Sequence, residues 1–307
     1  MDQINRQRHP WLTPPATITE ATSLACLQQI QTCELRVPDL TSIPITTTYL
    51  EQGQGPTTLV LLHGFDSSLL EFRRLIPELV PHCRVLAIDL LGFGFNQRFS
   101  DVPISSETIK AHLWQAWQVL VRTPAVLVGV SMGGAAALDF CLSYPDLVQK
   151  LVLVDSAGLT NPPATSRWMF PPLDRWATRF LANPQVRQNI SKAAYYDKHF
   201  ASDDAQACAA LHLTCTYWSD SLINFTKSGG YGSFASQLAR IQQEVLLLWG
   251  RQDRILGTRG AEQFQRQLPH SRLVWLDDCG HVPHLEKPQQ TTEAILAFLT
   301  NSICKDL

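Results

Sequence analysis

An α/β fold with a mainly parallel central sheet is predicted by three features of the chain. Short runs that are apolar throughout recur at "TTLVLLHG", "RVLAIDL", "AVLVGVS", "KLVLVDSAG", "EVLLLWG" and "RLVWLD". Runs without polar alternation suit strands covered on both faces, as in parallel sheets. Stretches with helical spacing lie between them, and alternation of strand and helix defines this class. The alternation breaks once, from about Leu159 to Arg240, where no strand run occurs.

Residues 1–40 read as a leader of unclear role, with "ATSLACLQQIQ" able to form a short helix. The regular pattern begins at Ile45 with "ITTTYL" and continues through "TTLVLLHG". "SLLEFRRLIPELV" has apolar residues at helical spacing, and "SSETIKAHLWQAWQVLVR" opens on serines placed for an N-cap. "KPQQTTEAILAFLT" carries Pro288 near its first turn, where a missing N–H costs least. The break holds "NPPATSRWMFPPLDRWATRFLANP", "AAYYDKHF" and "ACAALHLTCTYWSDSLINF", which read as helices punctuated by Pro and Gly turns. Between two strands this is an insertion rather than a loop. The partition expected is a core at 41–159 and 241–307 and a helical cap at 160–240, over the C-terminal edge of the sheet.

Bulk properties bound the function. The chain has 307 residues, 45% of them hydrophobic and 17% charged, with a formal net charge of −2. Such a balance offers no field for nucleic acid or acidic lipid. No run approaches the length of a membrane helix, which leaves peripheral membrane contact open. "MDQINRQRHPWLTPPATITE" has no apolar core of a secretory signal, so a cytoplasmic location is expected. The eight cysteines, at 26, 33, 83, 141, 208, 215, 279 and 304, form no CxxC pair and read as reduced thiols. Cys26 and Cys33 could share a helix face. No His/Cys cluster has metal-ligand spacing, so neither a metal nor an organic cofactor is expected.

The most informative stretch is "AVLVGVSMGGAAALDF", where an apolar strand meets an Ala-rich helix at Gly129-Val130-Ser131-Met132-Gly133. Serine could simply cap the helix. It also fits the G-x-S-x-G nucleophile elbow, whose small neighbours permit a tight turn that exposes the hydroxyl. Serine needs a base, and the base needs an orienting group. In the elbow arrangement these follow in the order acid, then His, each past a strand end. "EVLLLWGRQDRI" supplies Asp253 and "RLVWLDDCGHVPHLEKP" supplies His281. Asp155, at the end of "LVLVD", is the rival acid; Asp253 is preferred because its strand directly precedes that of the histidine. His284 is a neighbour that can fix the loop, and His63 is expected to pack beneath "HGFDSS". Two backbone N–H groups, of Met132 and Phe65, are the candidate oxyanion donors.

Together "HGFDSS", "AIDLLGFGFN", "GVSMGG", "WGRQDRI" and "CGHVPHLEKP" resemble the α/β-hydrolase superfamily over roughly residues 45–300. The similarity is nearest to small capped, esterase-like hydrolases of cyanobacteria and chloroplasts. It implies an α/β-hydrolase fold with an inserted helical cap and activities that range over carboxylesterases, lipases, thioesterases, C–C bond hydrolases, cofactor-free haloperoxidases and pheophytin-processing hydrolases. After "DLLGFG" relatives often carry Ser then Pro or Asp, whereas Phe95-Asn96-Gln97 stands here. Relatives that cleave carbon–halogen bonds or epoxides use Asp as nucleophile, so Ser131 argues against both.

The expected function is that of a serine hydrolase cleaving an apolar small-molecule ester through an acyl-enzyme. The alternatives are a C–C bond hydrolase, thioesterase or haloperoxidase on the same scaffold, and a non-catalytic binding protein. Trp168 and Trp218 are expected to line an apolar substrate pocket.

Overall fold

A computed structural model describes residues 7–8, 14–161 and 171–300. Trp168, with Met169 and Phe170, lies outside the described residues. The strands are β1 (Gln7–Arg8), β2 (Gln31–Leu35), β3 (Ile45–Gln52), β4 (Thr58–Leu62), β5 (Arg84–Ile88), β6 (Ala125–Val130), β7 (Val148–Val154), β8 (Glu244–Gly250) and β9 (Ser271–Leu276). They form one sheet in the order β1-β2-β3-β5-β4-β6-β7-β8-β9. The first three pairings are antiparallel and the remaining five parallel.

β4 to β8 are largely buried on both faces because the pleat sends successive side chains to opposite cores, whereas β9, at the sheet edge, is mostly half-buried despite its apolar run. Along β6, Ala125 and Leu127 join one cluster while Val126, Val128 and Val130 join the other. On the first face Trp117 stacks on Phe140 with ring centroids 4.9 Å apart.

Residues 31–35, assigned by sequence to the leader, form a strand of the sheet. β2 pairs antiparallel with β3 over Gln31↔Tyr49 to Leu35↔Ile45. Its sequence, "QTCEL", alternates and lacks the apolar run of a doubly covered strand. Cys26 sits on the short helix α1 (Ala21–Gln28) and Cys33 on β2, in different core clusters, so they share no helix face. The seven described cysteines are free thiols, six of them buried.

Between strands, α3 (Ser106–Ala116) starts with a capping box: the Ser105 hydroxyl accepts from Thr108 N–H and Thr108 Oγ1 accepts from Ser105 N–H. "SLLEFRRLIPELV" does not form one helix. It divides into a 3₁₀ turn at Leu69–Phe72 and α2 (Ile76–Leu79). Pro77 lacks the N–H that a continuous helix would donate to Arg73. The helix after the serine is α4 (Met132–Ser143).

Between β7 and β8 lie α5 (Leu173–Ala182), α6 (Pro184–Ala194), α7 (Asp203–Ala210) and α8 (Trp218–Ser228), with no strand among the described residues. Asn183 caps α6 by accepting from Gln185 N–H at 2.9 Å, which explains the Asn-Pro turn. Tyr195, Trp218 and Phe225 are buried here. Helix α5 turns the usual pattern round. Its Asp174 and Thr178 face inward, with Asp174 paired to Lys227 at 2.6 Å, while Leu173, Trp176 and Phe180 are 60–63% exposed. The remaining helices are α9 (Arg259–Gln267), α10 (Pro283–Glu286) and α11 (Pro288–Thr300). Among the described residues no helix is long and apolar enough to cross a membrane.

Candidate active site

Strand β4 lies between β5 and β6, and Leu62 pairs with Gly129. The chain therefore leaves two neighbouring strands side by side, at His63 and Ser131, where connections diverge in opposite directions. Open α/β sheets form their ligand crevice at such a point.

Ser131 has φ 51° and ψ −118°, a strained conformation for a residue with a Cβ. The turn is held by Ser131 N–H donating to Val154 O at 3.0 Å, with Ala157 N–H donating to Ser131 O at 2.9 Å. Two flanking glycines are required by close backbone approach. A Cβ on Gly129 would fall 2.3 Å from Gly133 O, and one on Gly133 would fall 2.1 Å from Leu62 O.

The three side chains singled out by sequence meet. His281 Nε2 is 3.0 Å from Ser131 Oγ, and His281 Nδ1 is 3.0 Å from Asp253 Oδ2. Asp253 Oδ1 accepts from the N–H groups of Ile255 and Leu256 at 2.7 and 3.1 Å. Burial opposes ionisation of Asp253, but the hydrogen bond and charge of His281 together with the Ile255 and Leu256 N–H groups outweigh it and hold the carboxyl below its ordinary range. Asp155 is adjacent. Its oxygens accept from Gly250 N–H at 3.1 and 3.4 Å. Burial and then the neighbouring Asp253 charge push its carboxyl well above the usual value. Asp155, Asp253 and His281 bring donor atoms within 4.8 Å of one another, a grouping that hydrogen bonds account for.

The surrounding loops are pinned by buried polar groups. His63 donates from Nδ1 to Gly64 O at 2.8 Å and accepts Leu90 N–H at Nε2, 3.1 Å. Both nitrogens are thus used in the neutral form, and burial lowers its pKa to about 4. Glu71 accepts Gly64 N–H at 2.8 Å and lies 3.1 Å from His284 Nε2. Asn96, where the chain departs from its resemblance, is buried; it accepts Thr48 N–H at 2.7 Å and donates to Asp89 O at 2.6 Å. Glu286 binds the histidine loop by accepting N–H groups from Gly280, Tyr196 and Asp197 at 2.8, 3.1 and 2.6 Å. Thr48, Leu90, Tyr196 and Asp197 meet these groups from distant parts of the chain, and reading the chain for motifs missed Glu71, Glu286 and Asp66.

Asp66, in the loop after β4, is bonded by three residues of the segment between β7 and β8. Its Oδ1 accepts from His212 Nε2 and Trp218 Nε1 at 3.0 and 2.7 Å, and its Oδ2 accepts from Arg187 Nη1 at 2.7 Å. Trp218 therefore anchors this contact and is not part of the cavity wall. Burial opposes ionisation of Asp66, but His212 and then Arg187 outweigh it and bring the carboxyl to about 2. Burial lowers the pKa of His212, so at neutral pH it donates as the neutral imidazole. An acid pKa depressed on folding stabilises above the unfolded value near 3.9 and loses that contribution as pH falls through the folded value. The expected contribution is about 2 kcal/mol. Thermal unfolding of wild type and Asp66→Asn between pH 2 and 7 tests this: the gap between them should be full at pH 5 and above and close toward pH 2.

A cavity of about 300 Å³ opens beside Ser131 and His281. Its walls combine Gly64, Phe65 and Leu70 with Leu181, Ile190 and Tyr195 from the segment between β7 and β8. Phe65, Ile190 and Ile255 are 42–47% exposed and mark its mouth.

Fold and site together define a class. A profile of the alpha/beta hydrolase fold matches residues 57–288, and the chain belongs to that family. The chain is 29% identical over 256 residues to the alpha/beta hydrolase domain-containing protein VTE7 of Arabidopsis thaliana, covering 83% of this chain and 77% of that one. It is 27% identical to the pimeloyl-[acyl-carrier protein] methyl ester esterase of Pectobacterium atrosepticum, covering 80% and 96%. It is 26% identical to the 2-hydroxy-6-oxo-2,4-heptadienoate hydrolase of Pseudomonas putida, covering 83% and 93%. These relatives indicate a hydrolase.

Proposed function

We propose that the protein is a serine hydrolase that cleaves carboxylic esters of largely apolar small molecules through an acyl-enzyme. The observation that carries this is the unbroken hydrogen-bonded chain Asp253–His281–Ser131 at the wall of a cavity. Ser131 Oγ attacks the ester carbonyl as His281 Nε2 takes its proton. Asp253 fixes the imidazole with Nδ1 protonated. The N–H groups of Met132 and Phe65 stabilise the oxyanion; Met132 begins α4, so its N–H has no partner within the helix. His281 then passes the proton to the leaving alcohol. Water, deprotonated by the same nitrogen, attacks the acyl carbon, and the acid leaves as Ser131 recovers its proton.

In this reading residues 160–240 act as a cap over a hydrolase core at 41–159 and 241–307, and the Asp66 contacts fasten that cap beside Phe65. Apolar wall residues such as Leu70, Leu181 and Ile190 contribute binding by burying apolar substrate, about 0.8 kcal/mol or fourfold in kcat/KM per methylene that fits. The test is kcat/KM across 4-nitrophenyl acetate, butyrate and octanoate. A rise from acetate to octanoate is expected in wild type, blunted in Ile190→Ala at the mouth. Trp218→Ala should lower stability, because its indole N–H bonds Asp66. A flat or falling profile in wild type would defeat the apolar-ester assignment.

A further inference from the structure

The cavity is lined by a buried cation whose hydrogen-bonding capacity is only partly filled, with Tyr195 as its neighbouring hydroxyl. Arg73 lines the cavity and is 3% exposed, alongside Leu70, Tyr195, Ala205 and Cys208, all under 5% exposed. Its Nε and Nη2 have no hydrogen-bond partner. Its Nη1 makes one long bond, 3.3 Å, to Leu70 O, so the guanidinium fork is not locked. The nearest carboxylate oxygen, Asp204 Oδ1, is 3.9 Å from Nε. That carboxylate is already filled: Oδ2 accepts N–H groups from Thr19 and Glu20, and Oδ1 accepts the Ser23 hydroxyl and the Cys208 thiol.

The other charged groups in the wall are satisfied. Asp66 is bonded by His212, Trp218 and Arg187, and Arg187 also donates to Ala209 O. Glu71 is held by Gly64 N–H and lies against His284. A buried guanidinium with Nε and Nη2 unbonded carries a cost, and its fork is shaped to bind a carboxylate through two parallel hydrogen bonds. Ser131 and Arg73 border one cavity, whose lining also includes Leu70, Leu181, Ile190 and Leu285.

We infer that Arg73 is the anchor of an anion subsite, and that the substrate is an ester whose chain ends in a carboxylate, held at Arg73 while its ester group lies at Ser131. This rests on the ester-hydrolase reading and narrows it from any apolar ester to a half-ester with an apolar span between two polar ends. Arg73 selects the substrate through its far end and takes no part in bond making.

The experiment uses monomethyl half-esters of butanedioate through decanedioate, each paired with the matching dimethyl diester. Methanol release gives kcat/KM with wild type, and calorimetry gives Kd with full-length Ser131→Ala. At the best length the half-ester is expected to exceed the diester at least tenfold in both measurements. Arg73→Gln, made in each background, should erase that ratio, and Arg73→Lys should keep part of it, because the charge remains and the fork is lost. Arg73→Met should also unfold no earlier than wild type, since it removes an unsatisfied buried cation. The inference is overturned if the diester equals or exceeds the half-ester at every length, or if the ratio survives Arg73→Gln. Should Arg73→Gln fail to fold, an unchanged ratio in Arg73→Lys overturns it equally. Half-ester binding that depends on Arg73 without any cleavage would uphold the subsite and refute the hydrolase reading; cleavage without charge preference would do the reverse.

Discussion

Replacing Ser131 by alanine is expected to abolish labelling by a fluorophosphonate and to lower kcat by on the order of 10⁴-fold or more. The size follows from the nucleophilic role proposed for the residue. Without Oγ there is no covalent intermediate, and only positioning and the oxyanion donors remain to accelerate attack by water. The fold should be indifferent to the change. Ser131 keeps its strained backbone through bonds made by its own N–H and C=O, to Val154 and Ala157, which alanine retains. A melting temperature close to wild type beside a silent active site separates loss of chemistry from loss of structure. Labelling and turnover of wild type should persist in EDTA, because Asp253 and His281 are already hydrogen-bonded to one another and Asp155 to Gly250. Labelling that survives in Ser131→Ala would remove the serine from its role.

How far this site could be read in advance depended on where its physical constraints are local. The parallel strands are legible because burial on both faces forces uninterrupted apolar runs, as in "AVLVGV". Ser131 stands out because the turn tolerates only small neighbours, and the collision distances at Gly129 and Gly133 show why. Strand β2 was missed because an antiparallel strand near the sheet edge needs no such run. The polar supports were missed for another reason. Asp66 meets Arg187 across 121 residues, and Glu286 meets Asp197 across 89. A single carboxylate carries no pattern until folding brings its donors to it. Trp218 shows the same limit: its aromatic character suggested a pocket wall, while its N–H bond to Asp66 makes it a fastening.

Asp253→Asn is expected to cost up to about 10⁴ in turnover, and Asp155→Asn no more than about tenfold. Both carboxylates lie beside His281, so proximity does not choose between them. Geometry and charge do. Asp253 Oδ2 faces His281 Nδ1 at 3.0 Å, whereas the Asp155 oxygens face Gly250 N–H. Two adjacent buried carboxylates do not both ionise readily, and the proton stays on the one with less compensation. Burial and the Asp253 charge keep it on Asp155, while the His281 contact keeps Asp253 ionised. An amide at 253 can turn its NH₂ toward Nδ1 and stabilise the wrong tautomer, leaving Nε2 protonated and unable to take the serine proton. An amide at 155 resembles the protonated acid already there. Stability supplies a second readout. A carboxyl whose pKa rises on folding favours the folded state most below the unfolded value near 3.9 and loses that advantage as pH rises toward the folded value. Asp155→Asn carries no such penalty, so it should match or exceed the wild-type melting temperature at pH 7 and lose less stability between pH 4 and 7. Steady-state kinetics and melting curves of the two variants decide the matter. A severe loss in Asp155→Asn with near-normal Asp253→Asn would move the acid to the end of β7.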